Sequence, residues 1–284
     1  MKIPKHIAFL DKFFIKNNLK KRIINLETKT GKTSSIYIKS KENKKTIIFV
    51  HGFGNDKYYP FIELFTILLK NGFSIISIDL PGHGSGNSSF FTLESSQEAL
   101  SKTIQYLKNN LKIKKNNIVM LGHSTGGFFC LSESINNSCR AIILISAPYE
   151  INLKPKILLE PVSFLSPNII RQLKYYSLFW LIPSFTFFNH KRYPLNTQTT
   201  SKINYFAEKM KKASLLNSLK KSSLPCLQIH SKLDLIIPFS QAEKIKENYN
   251  GKIDSLNLIF SSHFTTIFSK KTANSIISWL NTLE

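Results

Sequence analysis

Residues 122–126 read Gly-His-Ser-Thr-Gly, a pattern in which a serine stands between two glycines. An apolar run at 117–121 precedes it, and a helical segment begins near residue 127. Between a strand and a helix this pattern forms a sharp turn that exposes the serine, and the glycines remove Cβ atoms that would collide. The sequence therefore predicts that Ser124 is a nucleophile for attack on a carbonyl carbon.

A serine nucleophile needs a histidine that accepts its proton, and in a strand-turn-helix arrangement of this kind the histidine follows the serine. His190 lies beside basic residues, and His230 ends an apolar run. His263 lies in the loop after the last apolar run, 255–260, and ahead of a final helix. We predict that His263 is the general base.

The histidine in turn needs a carboxylate that orients it, placed between serine and histidine in the chain. Asp234 follows the apolar run 226–230, and catalytic groups gather at the carboxyl ends of parallel strands. Asp254 precedes its strand and would lie at the opposite edge of the sheet. Glu150, after the run 141–145, is the alternative acid, but Asp234 is favoured.

Attack on a carbonyl creates an oxyanion that backbone N–H groups must meet. One donor is expected from Thr125, the residue after the nucleophile. The other is expected from the loop 51–54, His-Gly-Phe-Gly, and we assign it to the N–H of Phe53. Phe53 and His123 are also expected to contact the substrate, whereas His51 is expected to brace the loop.

The elements that must position these residues alternate along the chain. Short Ile- and Val-rich runs predict strands buried on both faces, and helical segments lie between them. The runs are 46–50, 74–78, 117–121, 141–145, 226–230 and 255–260; the helices are 60–71, 95–111, 127–135 and 240–248. This alternation predicts an α/β fold, with a mostly parallel central sheet flanked by helices. A hairpin or edge strands are expected around residues 23–38, with a turn near Gly31.

Residues 148–223 interrupt the alternation. This interval is rich in aromatic residues and leucine, and repeated prolines divide it into short helical pieces. We predict a helical insertion at 148–223 over a core formed by residues 1–147 and 224–284.

Taken together, these motifs resemble the α/β-hydrolase superfamily, in its serine esterase and lipase branch, similar to monoacylglycerol lipases and lysophospholipases. The resemblance rests on the 51–52 His-Gly pair, the 79–85 turn, the serine motif, Asp234 and His263. It implies an α/β-hydrolase fold with a helical cap, a small-molecule ester or lipid substrate, and no metal or organic cofactor. It also implies that the 79–85 turn is structural, and that the aromatic cap, with Trp180, contacts an apolar acyl group.

The resemblance leaves alternatives open, because one fold supports several reactions. Thioester hydrolysis, acyl transfer and carbon–carbon bond cleavage can use the same serine, acid and histidine. A protein that binds ligand without turnover is the alternative from another class.

The formal net charge of +22 would attract polyanions, but the basic residues are spread along the chain rather than clustered. We interpret the charge as compositional and expect no specific nucleic-acid partner. Lys174, Lys191 and Arg192 flank the aromatic part of the insertion, so peripheral membrane contact through the cap is a further hypothesis.

The cysteines are odd in number and lack metal-binding spacing, which favours a reducing compartment. No apolar run reaches the ~18 residues of a membrane span, and no signal-peptide segment is evident. We therefore expect a cytoplasmic protein that acts without a metal.

Overall fold

The chain folds around one eight-stranded sheet. The computed structural model describes residues 14, 19–59, 64–86, 91–151 and 215–283. The strands are β1 (Lys21–Thr28), β2 (Gly31–Ile38), β3 (Thr46–Val50), β4 (Ser74–Ile78), β5 (Ile118–His123), β6 (Ala141–Ile145), β7 (Cys226–Ser231) and β8 (Ile253–Leu258). Their spatial order is β1-β2-β4-β3-β5-β6-β7-β8. Strands β3 to β8 are parallel and β1 and β2 are antiparallel to their neighbours, which confirms the predicted mostly parallel sheet.

Helices cover both faces of the sheet. Within the described residues they are α1 (Thr66–Lys70), α2 (Leu93–Asn109), α3 (Thr125–Ser134), α4 (Leu216–Lys221), α5 (Phe239–Asn248), α6 (Thr265–Phe268) and α7 (Lys270–Asn281). Successive residues of a strand point to opposite faces. Ile48 of β3 therefore packs in one core with α2 and α3, whereas Ile47 packs in the other core with α1 and α7. None of these helices is both long and apolar enough to cross a membrane.

The predicted strands at 46–50, 74–78 and 141–145 coincide with β3, β4 and β6. Each is buried along its whole length, as expected for uninterrupted apolar runs in a parallel sheet covered on both sides. Of the hairpin or edge strands expected around residues 23–38, the structure shows a hairpin at one edge of the sheet, since β1 and β2 pair antiparallel up to Thr28 and Gly31.

The prediction of the last strand at 255–260 is wrong by two residues, because β8 spans Ile253–Leu258. Strand β8 lies at the edge of the sheet and pairs only with β7. The last pair joins Ser231 to Leu258, so the two apolar residues that follow have no strand to pair with. Apolar character alone could not reveal where this partner strand ends.

The predicted cap lies mostly outside the described residues, which omit 152–214. Its last part is described and contains α4. Leu215 and Leu219 are buried and pack into the core beside α3 and α5. The boundaries of the cap stay a prediction.

The serine turn presses against β3, and this contact generates a prediction for Gly126→Ala. A Cβ atom at residue 126 would lie 2.1 Å from the backbone oxygen of Val50. Since both partners are backbone, we expect unfolding free energy to fall by about 3 kcal/mol. Urea unfolding measures this. Asn109→Ala, at an exposed position of α2, is the control, and an unchanged midpoint for Gly126→Ala would contradict the packing.

Candidate active site

The predicted serine turn is present between β5 and α3. Ser124 has φ 55° and ψ −127°, a conformation that costs a residue with a side chain about 1–3 kcal/mol. Its N–H donates to the oxygen of Ile145 at 2.9 Å, and its carbonyl accepts from Gly127 at 2.9 Å. A Cβ at residue 122 would come within 2.4 Å of the oxygen of Gly126. The surroundings thus hold the serine in its strained turn.

His263 and Asp234 lie together at the same edge of the sheet. Asp234 follows β7 and His263 follows β8, the neighbouring strand. His263 Nδ1 donates to Asp234 Oδ2 at 2.9 Å, and both side chains are buried. Because Nδ1 carries the proton in this hydrogen bond, the lone pair of neutral His263 is on Nε2. This is the tautomer that a general base requires.

The carboxylate is fixed by further contacts. Asp234 Oδ1 accepts the N–H groups of Ile236 and Ile237 at 3.0 and 2.8 Å. Burial raises the pKa of Asp234. The hydrogen bond and charge of His263, together with the N–H of Ile237, lower this pKa by more than burial raises it, so the net shift is downward. His230 Nε2 donates to the oxygen of Ile237 and lies 3.6 Å from Asp234 Oδ2. His230 therefore supports the acid loop.

The serine and the acid–histidine pair are linked through His123. His123 Nε2 donates to the backbone oxygen of His263 at 3.2 Å, and the two ring centroids lie 5.1 Å apart. No hydrogen bond joins Ser124 Oγ to His263 among the described contacts. Such bonds are often long in a free enzyme and tighten when substrate binds. His123 is only 1% exposed. A side chain this buried is better placed to hold His263 than to make the substrate contact predicted for it.

The loop after β3 approaches the serine closely. A Cβ at Gly52 would lie 3.0 Å from Ser124 Cβ, so the glycine permits this approach. The loop is braced by His51, whose Nδ1 donates to the oxygen of Gly52 while Nε2 accepts the N–H of Leu80. The predicted bracing role of His51 thus fits its contacts. Phe53 packs its ring 5.7 Å from that of His83.

A buried ion pair between Lys57 and Asp79 also fixes this loop, and the sequence did not predict it. Lys57 Nζ contacts Asp79 Oδ2 and Ser85 Oγ, each at 2.6 Å, and the Lys57 N–H donates to Asp79 Oδ1. Lys57 is 1% exposed, and removal of one partner would leave a buried charge. Nothing in the residues around Lys57 distinguishes it from the many surface lysines. The family resemblance implied only that the 79–85 turn has a structural role, not that Asp79 pairs with Lys57.

The remaining predicted residues are placed as follows. Thr125 is the first residue of α3, where N–H groups lack helical partners. Glu150 forms an exposed ion pair with Lys244 on α5, so of the two candidate acids Asp234 is the one that contacts His263. Trp180 and His190 lie outside the described residues.

Three buried histidines generate a pH prediction. Burial, with smaller effects of neighbours, lowers the pKa of His51 to about 4 and of His83 and His123 to about 3. Below the ordinary pKa of 6.5 the unfolded chain binds protons that the folded chain does not. Stability should therefore fall from about pH 6.5 downward, by up to ~1.4 kcal/mol per pH unit for each histidine.

Urea unfolding at pH 7, 6 and 5 measures this dependence. His123→Gln should reduce the slope, because one of the three groups no longer titrates. Equal slopes for wild type and variant would show that His123 is not held neutral by the fold.

Three comparisons place the chain among known proteins. The family model for serine aminopeptidase, S33, matches residues 41–261. A protein of Mycoplasma genitalium described as an esterase/lipase is 30% identical over 111 residues, which are 38% of this chain and 40% of that protein. An Oryza sativa protein described as a 1-acylglycerol-3-phosphate O-acyltransferase is 32% identical over 105 residues, 37% of this chain and 25% of that one. The chain thus matches less than half the length of these curated relatives.

Solved structures share the fold. An esterase of Pyrococcus furiosus has a TM-score of 0.68 at 17% identity, over 95% of this chain and 93% of that chain. An N-formylmaleamic acid deformylase of Pseudomonas putida has a TM-score of 0.66 at 12% identity, over 90% of this chain and all of that chain. These likenesses and the site geometry agree with the match over 41–261. The chain belongs to the serine aminopeptidase S33 family of the α/β-hydrolase superfamily.

Proposed function

We propose that this protein hydrolyses carboxylic esters with an apolar acyl group through an acyl-enzyme on Ser124. The observation that carries the proposal is the 2.9 Å hydrogen bond between His263 Nδ1 and Asp234 Oδ2, beside a serine held in a strained turn. A serine ester hydrolase uses a nucleophilic serine, a histidine base and a carboxylate that orients the histidine. One relative is described as an esterase/lipase and another as a 1-acylglycerol-3-phosphate O-acyltransferase, and both names denote acyl-group chemistry.

In the first step, His263 Nε2 accepts the proton of Ser124 Oγ as the oxygen bonds to the ester carbonyl carbon. The carbonyl electrons move to oxygen, and the oxyanion is met by the N–H groups of Thr125 and Phe53. Asp234 stabilises the imidazolium through its hydrogen bond to Nδ1. The lowered pKa of Asp234 keeps that carboxylate ionised at neutral pH.

In the following steps, the carbonyl re-forms and the alcohol oxygen leaves with the proton that His263 carries. Water then takes the place of the alcohol: His263 removes its proton, its oxygen bonds to the acyl carbon, and the bond to Ser124 breaks. Ser124 regains its proton from the histidine, and the carboxylic acid departs. The cycle uses groups of this chain and water only.

The site chemistry fits carboxylic esters in general, and the proposed substrates are a narrower class of lipid esters. We propose a monoglyceride, a lysophospholipid or a similar lipid ester, with the aromatic residues of the predicted cap, Trp180 among them, against the acyl chain. Phe53, half-buried in the loop whose Gly52 approaches Ser124, would contact the same acyl chain. Thioester hydrolysis, acyl transfer and carbon–carbon cleavage use the same groups and are separated by substrate assays.

A second candidate function is amide hydrolysis, favoured by the name of the family model, which describes serine aminopeptidases. An aminopeptidase must recognise the free amino group of its substrate, usually with a carboxylate. A panel of aminoacyl p-nitroanilides beside p-nitrophenyl esters of increasing acyl length discriminates the two. Activity confined to the anilides would replace the ester proposal.

Substitution of the nucleophile is the first test of the mechanism. We expect Ser124→Ala to lower kcat on p-nitrophenyl butyrate by about 10⁴- to 10⁶-fold, because no acyl-enzyme can form. Ser138→Ala, in the turn after α3, should retain activity. Fluorophosphonate should label the wild type but not Ser124→Ala. A wild type that resists labelling would indicate a ligand-binding protein with an idle serine.

Substitution of the acid tests the orientation of the base. Asp234→Asn should lower kcat by about 10⁴-fold, because an amide at this position no longer favours the tautomer with a proton on Nδ1. Glu150→Gln, which changes the alternative acid in the same way, should leave kcat unchanged. The opposite outcome for the two variants would assign the acid to Glu150.

A further inference from the structure

Four large apolar side chains are exposed on the two loops that carry the proposed acid and base. Leu233 and Leu235 flank Asp234 and are 55% and 90% exposed. Ile259 and Phe260 precede His263 and are 57% and 91% exposed. Together these four residues form the β7–β8 loop patch.

The two loops leave the sheet side by side. The ladder between β7 and β8 ends with Ser231 opposite Leu258. Beyond it, the N–H of Lys232 donates to the oxygen of Leu258 at 2.8 Å, and Ser231 Oγ donates to the oxygen of Ser261. The apolar residues of both loops therefore project from one edge of the sheet.

The concentration of exposed apolar side chains at this edge is unusual for the chain. Among the described residues, Ile23 and Ile135 are the other exposed large hydrophobic residues, and they lie on β1 and after α3. Exposed apolar residues that stand singly need no explanation, but a contiguous group commonly marks an interaction site.

The exposed charged side chains on the two segments that carry the patch are lysines. Residues 231–242 and 255–283 contain a single carboxylate, Asp234, which is buried and bonded to His263. The same segments expose Lys232, Lys270 and Lys271. Glu243, exposed on α5, is the next carboxylate along the chain. An apolar patch on segments whose exposed charges are lysines is complementary to an anionic lipid surface, where apolar side chains enter the interface and lysines meet the head groups. The net charge of +22 adds long-range attraction to the same surface.

We propose that the β7–β8 loop patch docks this protein on an anionic phospholipid bilayer. This surface differs from the predicted cap, which was the membrane contact expected from sequence. Docking would hold Asp234 and His263 within a few residues of the lipid. The delivery of a lipid ester from the bilayer to Ser124 rests on the proposed function, whereas the docking does not.

Vesicle binding tests the proposal with the 284-residue chain. Co-sedimentation is measured with vesicles of phosphatidylcholine, with and without about 30% phosphatidylglycerol. We expect the wild type to bind the anionic vesicles and Leu235→Ser/Phe260→Ser to bind them at least ~10-fold more weakly. Lys232→Gln/Lys270→Gln/Lys271→Gln should also bind more weakly, and raised salt should weaken the wild type.

Matched controls separate docking from folding. Ile23→Ser/Ile135→Ser removes the same number of exposed apolar side chains elsewhere and should bind like the wild type. Leu235→Ser/Phe260→Ser should keep the wild-type rate on soluble p-nitrophenyl butyrate. Ser124→Ala should bind vesicles like the wild type, because docking does not use the serine. A wild type that binds vesicles but hydrolyses no ester would contradict the proposed function and support the docking.

Three outcomes would overturn the docking. The first is equal vesicle binding by wild type and Leu235→Ser/Phe260→Ser. The second is a loss of thermal stability in that variant without a change in vesicle binding, which would mean that another part of the chain covers the patch. The third is a wild type that elutes as a dimer on gel filtration while Leu235→Ser/Phe260→Ser elutes as a monomer. That result would identify a second copy of the chain as the partner of the patch.

Discussion

The whole site depends on how closely the serine turn packs on β3. The backbone oxygen of Val50 occupies the space that a side chain at Gly126 would need, and Gly52 approaches Ser124 from the next loop. This packing keeps Ser124 at φ 55° even though the conformation is unfavourable. A relaxed turn would move the hydroxyl away from the carboxyl edge of the sheet, where Asp234 and His263 follow β7 and β8. The conformation of Ser124 is thus held by backbone packing, which leaves no room for side chains at the glycine positions.

Much of this arrangement could be predicted from the sequence because it depends on local patterns. The Ile- and Val-rich runs indicate β3, β4 and β6 with correct bounds, since a strand buried on both faces needs no polar residue. The serine turn carries its own glycines. Chain order and the position of Asp234 after a strand predicted its contact with His263, and Glu150 is bonded to Lys244 instead.

What the sequence could not predict depends on contacts between distant segments. The end of β8 is set by the end of β7, so the pattern that included Ile259 and Phe260 in the strand was misleading. Lys57 is one of many lysines, and its burial against Asp79 becomes visible only when the loops after β3 and β4 are seen together. The same holds for His123, which a motif places next to the serine but whose bond to His263 joins residues 140 apart.

The proposed base, His263, follows an edge strand, and this position affects how the protein loses activity. Strand β8 is paired on one side only, while the serine turn follows β5, which is paired on both sides. Edge segments separate from a sheet at a lower free-energy cost than its centre does. Partial opening at this edge would detach the histidine while the rest of the sheet stays folded. Heat inactivation would then precede the main melting transition, and it would reverse on cooling.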